Sequence, residues 1–169
     1  MRKSIALFAS VLILSLTACS DSEQDTQEES GEFLLDNIYA NPIEADTTYS
    51  MIHEIEWTGE TPATINSFDL VKGQGEPVSF EEDGIAYEAY GADPLKQVGV
   101  YAEGHEIGEV VDVNGYEVDG TGRIVLKLKI GEVSEDPDRA AKINYTVDGE
   151  EHEVIYEWDG YKKLTTEDN

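Results

Sequence analysis

The chain has 169 residues and sets 37 Asp and Glu against 11 Lys and Arg, a formal charge of −26 at pH 7. Such a surface repels phosphate backbones and holds no basic stripe, which argues against nucleic acid as a partner. The length suits a single domain with a real core.

The first 18 residues are set apart from the rest. Arg2 and Lys3 precede an apolar run from Ile5 to Leu16, the layout of a secretory signal. The run is short for a membrane-crossing helix, which needs about 20 apolar residues to span about 30 Å of hydrocarbon. Cys19 follows and is the only cysteine. It has no disulfide partner within the chain, and Ser20, Asp21 and Ser22 shape no nucleophile site around it. The stretch Leu16-Thr17-Ala18-Cys19 resembles the lipobox of the bacterial lipoprotein class: an aliphatic residue, two small ones, then Cys. The resemblance covers only these first 19 residues. It implies that Cys19 receives a diacylglyceryl group, that the signal peptide 1–18 is cut away, and that Cys19 becomes the first residue. Two acyl chains hold a protein stably where one holds it marginally, at about 0.8 kcal/mol per buried methylene.

Losing the leader removes two positive charges and no acid, taking the formal charge from −26 to −28. An anionic membrane surface would repel that body, so the lipid must hold it. Residues 20–32, "SDSEQDTQEESGE", contain no apolar side chain and many like charges. With the lipidated Cys19 they read as a disordered tether, 19–32.

From Phe33 onward the pattern is that of strands. Segments 33–39, 49–57, 63–71, 84–90, 97–102 and 107–113 are moderately alternating and are punctuated by "TGETP", "GQGEP", "EEDG", "GADP" and "NGYEVDGTG". Residues 123–130, "RIVLKLKI", put Ile124, Leu126, Leu128 and Ile130 on one face and Lys127 and Lys129 on the other. Ile143, Tyr145 and Val147 share a face of 142–147, and Val154, Tyr156 and Trp158 a face of 152–158. Between these two, Asp148-Gly149 predicts a two-residue hairpin turn, because both residue types accept positive φ. No helical window exceeds two turns. About nine short strands predict an all-β fold: a single antiparallel β-sandwich over 33–161, immunoglobulin-like, followed by a flexible tail at 162–169. A small β-barrel is the alternative. "IEWTG" (55–59) echoes "YEWDG" (156–160), which two strands ending in Trp before a turn explain without duplication.

The possible sites are thinly marked. Asp112, Asn114, Glu117 and Asp119 form an acidic, glycine-containing loop that could hold a cation. Counted as an EF-hand from Asp112, it places Tyr116, Glu117 and Arg123 where positions 5, 6 and 12 want an oxygen ligand, Gly and Glu. His53, His105 and His152 are in no metal-ligand spacing. Nucleophile and metalloprotease motifs are absent from the sequence, and Gly120-Thr121-Gly122 lacks a P-loop lysine. Trp57, Trp158, Tyr161, Tyr87, Tyr90 and Tyr101 could stack on a sugar or anchor a protein. Tyr161 in "WDGYKK", past the last strand, is the aromatic expected to be most exposed.

The expectation is a non-enzymatic binding or adaptor module, needing no cofactor. It would be extracytoplasmic, anchored to a bacterial membrane by lipid on Cys19, with an envelope protein or wall polymer as partner. The single cysteine fits a Gram-positive exported protein. A glycan, cell-wall or calcium-binding module, and an enzyme without a recognisable motif, are the alternatives.

Overall fold

The computed structural model describes residues 31–40 and 42–166. The expected signal peptide, Cys19 and the tether up to residue 30 lie outside them. In chain order the elements are β1 (Phe33–Leu35), β2 (Thr47–Trp57), β3 (Ala63–Lys72), β4 (Glu76–Pro77), α1 (Phe80–Asp83), β5 (Ile85–Ala92), β6 (Gly99–Ala102), β7 (Val111–Asp112), β8 (Tyr116–Val118), β9 (Thr121–Ile130), β10 (Ala140–Val147), β11 (Glu150–Tyr156) and α2 (Asp159–Lys162).

The strands form two antiparallel sheets packed face to face, a sandwich and not a closed barrel. One sheet runs β1-β2-β9-β5-β7. β9 lies along β2 from Thr47 to Glu56, so β6 and β1 share the other edge, at Tyr49–Ile52 and Ile55–Trp57. The second sheet runs β11-β10-β3-β4, with β8 beside β4 on the outer edge of β3. Lettered as an immunoglobulin domain, the sheets read A-B-E-D and G-F-C-C′. Asp148 and Gly149 have φ of 52° and 84°, the turn that their sequence predicts.

Alternation builds the core. Ile124, Leu126, Leu128 and Ile130 of β9 are at most 2% exposed and face Ile65, Phe68, Leu70 and Ile143 of the other sheet. Ile65 and Phe68 both point inward although three residues apart. An extra residue, Asn66, bulges out where Tyr145 pairs with Ile65 and Asn144 with Ser67. At one end of the sandwich Phe33, Trp57 and Tyr145 pack ring on ring, with centroids 4.8–5.4 Å apart. Glu32 exchanges backbone and side-chain bonds with Thr58, so order extends one residue before the expected start at Phe33.

The β5–β9 connection crosses the outer face of the first sheet, pairs as β6 with β2, and returns as β7 to β5. This strap covers Ile52, Ala92 and Val125, packing Tyr101, Ile107 and Val110 over them. Arg123 fastens it, donating from Nε to Lys96 O at 2.9 Å and pairing with Glu54 at 2.8 Å. Val125, on the same face of β9 as Lys127 and Lys129, is therefore buried.

Two expectations fail at the C-terminus. Tyr161 is 5% exposed, and Leu164 and Thr165 are also buried, so the domain continues through residue 166 where a tail from 162 was expected. The strand pattern stops at Tyr156. Trp158, Tyr161 and Leu164 then recur every third residue, a spacing that puts all three on one side of a tight turn. α2 carries them into the end of the sandwich.

Candidate functional site

The acidic loop does not converge. Asp112 lies on β7 in one sheet, while Glu117 lies on β8 in the other, so the chain spreads these carboxylates across the sandwich edge. The Asp112 carboxylate accepts from Asn114 N–H at 2.9 Å, which forms the turn. All four residues are exposed. Tyr116 between them plugs inward: its hydroxyl donates to Ala92 O at 2.6 Å and accepts from Arg123 N–H at 3.1 Å. Among the described residues no three His, Cys, Asp or Glu side chains are placed to hold a metal ion.

The three histidines are also apart. His105 is on the strap, bonded to Ala102 O, and His152 stacks on Tyr145. His53 is different. It is wholly buried on the core face of β2, with Nδ1 2.9 Å from the Asp36 carboxylate and its ring edge-on to Trp158 at 4.1 Å. Its Nε2 has no partner. Burial pushes its pKa below the usual value, against the hydrogen bond and charge of Asp36. A His–carboxylate pair can serve as half of a catalytic relay, but a substrate cannot touch this ring.

Instead the pair sits in a seam. Trp158 Nε1 donates to Asp36 O at 3.0 Å, Tyr156 Oη to Leu35 O at 3.2 Å, and Gly160 N–H to Asn37 Oδ1 at 3.2 Å. Beyond it, Arg139 Nη1 donates to Leu164 O at 3.1 Å and Nη2 to Ser134 O at 2.8 Å, with the guanidinium 5.5 Å from the Tyr161 ring. The Tyr161 hydroxyl is buried without a partner, and burial pushes its pKa up. Under α2 lies a void of about 10 Å³ lined by Met51, Leu70, Leu126, Leu128 and Leu164 among others. That is far below the roughly 300–1,000 Å³ of a small-molecule pocket.

The aromatics proposed as a platform are dispersed. Trp57, Trp158 and Tyr161 fill the core. Tyr90 bonds Glu88 beneath Lys127, Tyr87 reaches Asp69, and Tyr101 holds the strap.

A different feature stands open at the surface. β11 pairs over its full length with β10, from Glu150 opposite Val147 to Tyr156 opposite Ala141, without a bulge. Among the described residues no strand pairs with its other side, and its backbone bonds to nothing but β10. Glu151, Glu153 and Ile155 point outward and are exposed, whereas Val154 and Tyr156 lean on the core. Among the described residues, Glu153 has a cation within ion-pair reach, Lys142 at 3.6 Å, and Glu151 has none.

Compared with protein-family models, curated proteins and solved structures, the chain matches none.

The sequence did not mark the seam, and it marked the edge only faintly. His53 stands in a strand of alternating residues like any half-buried polar group, and Asp36 is 17 residues away. The edge had a faint signal: "EEHEVIYE" mixes a strand pattern with a carboxylate at nearly every outward position. Whether that strand lies inside a sheet or at its border is decided by topology alone.

Proposed function

We propose that this chain is an exported bacterial lipoprotein, and that its sandwich is a non-enzymatic binding or adaptor module at the cell envelope. The carrying observation is Leu16-Thr17-Ala18-Cys19 directly behind a short apolar run. The fold supports the geometry of a tether. Phe33 pairs with Trp57, so the N-terminal approach enters where β2 ends and β3 begins. α2 closes the opposite end, which an anchor at Cys19 would leave facing away from the membrane. The charge of −28 keeps the body from lying on anionic lipid, so the module would stand off and meet partners in the envelope.

The test is metabolic labelling with an alkyne fatty acid, followed by membrane fractionation, in wild type and a Cys19→Ala strain. Label and membrane retention in wild type, both lost in the variant, are expected. An unlabelled, freely secreted wild-type protein would sink the anchor. Crosslinking on living cells then tests the adaptor reading. One reproducible protein partner that disappears in the Cys19→Ala strain supports it. Wall glycan without protein would replace it with the glycan-binding reading.

A further inference from the structure

We propose that the free edge of β11 is a strand-addition site for an extended, cationic partner segment, one that alternates Lys or Arg with apolar residues. This rests on the reading of the domain as a binding module and names the class of segment bound. An open, regular strand edge is a template for another chain, because its outer N–H and C=O groups await partners. β11 offers seven residues without proline or bulge, longer than the three-residue β1 at the corresponding edge of the other sheet.

Side chains on the two faces of β11 then specify the visitor. Added strands place alternate residues on opposite faces. On the outer face they would meet Glu151 and Glu153, with Ile155 beyond them toward the strand's end, and Glu151 has no cationic partner among the described residues. On the inner face they would meet the half-buried Val154 and Tyr156 at the rim of the core. A segment that is cationic on one face and apolar on the other satisfies both.

The same carboxylates select against the commonest wrong partner. A second copy adding antiparallel along the full strand would set Glu153 opposite its own counterpart and diagonal to the second copy's Glu151, and like charges across strands destabilise the pair. The edge thus disfavours a second copy and acidic strands and favours basic ones. The field of a protein with formal charge −28 draws such a segment in.

The probe is a nine-residue peptide of alternating Lys and Val, blocked at both ends. It is compared with a Glu/Val counterpart and with a Lys/Val peptide methylated at every backbone nitrogen. Each is added to the chain from residue 19 carrying Cys19→Ser, and backbone exchange is followed by mass spectrometry. Slowed exchange across 150–156 with the Lys/Val peptide alone is expected. A Glu151→Lys/Glu153→Lys chain should bind it about tenfold more weakly while its melting temperature stays near wild type. Equal binding of the methylated peptide would show charge attraction without strand pairing and overturn the proposal. So would protection confined to other strands, or no binding. If the peptide fails while living cells still yield an anchored partner, the edge is refuted and the adaptor survives; if both fail, the adaptor falls too.

Discussion

Replacing His53 by Gln should make stability less dependent on pH in the mildly acidic range. The folded chain holds His53 wholly buried, and burial outweighs Asp36 in setting its charge, so its folded pKa is lowered. Below about pH 6.5, the ordinary histidine value, the unfolded chain takes up a proton there that the folded chain refuses. The stability held above pH 6.5 is then lost as pH falls toward the folded value. One proton bounds the slope at about 1.4 kcal/mol per pH unit. Gln cannot titrate, and carboxylates common to both chains cancel in the difference. Urea denaturation of both chains between pH 8 and pH 5 measures it. The gap in unfolding free energy between wild type and His53→Gln should be flat above about pH 7.5 and shrink steadily below 6.5. A gap that stays constant would show that folding leaves the imidazole's proton affinity unchanged, and one that widens in acid that Asp36 holds a charged imidazole in the core; either would make the burial argument wrong.

Arg139→Lys should cost about 1–3 kcal/mol despite its conserved charge, because an ammonium cannot reach Leu164 O and Ser134 O together as the guanidinium does. Backbone exchange should rise in 162–166 before the rest of the domain; uniform loosening would contradict the clamp. Gly160→Ala would place a Cβ 2.2 Å from Ile38 O, a backbone atom that cannot swing away. A loss of about 1–3 kcal/mol in a denaturation series is expected, and an unchanged midpoint would mean α2 does not dock there. At the hairpin, Gly149→Val at φ 84° should cost about 1 kcal/mol or more, while Asp148→Asn at φ 52° should stay within about 0.5. Similar effects at both positions in thermal melts would refute the turn assignment.

Much of the sandwich was legible in the sequence because period-two alternation reports a half-buried strand directly. Ile124 to Ile130 announced their own inward face, and Asp148-Gly149 their own turn, since both depend on neighbours in the chain. Misreadings arose wherever distant residues decided the outcome. Val125 shares its face with Lys127 and Lys129, and only the strap crossing above it buries it. Tyr161 and Leu164 lay beyond the last strand, and only the open end of two packed sheets, with Arg139 waiting at Leu164 O, pulls them inside. Asp112 and Glu117 are close in sequence but lie in different sheets, with Asn114 and Asp119 in the turns beside them, whereas His53, Asp36 and Trp158 are far apart and meet. The proposed lipobox at Cys19 belongs to the other class, a signal read in linear sequence that needs no fold. Which strand ends a sheet is purely tertiary. The pattern of β11 would serve equally in a sheet's interior, and its free edge follows only from the order in which the strands pair.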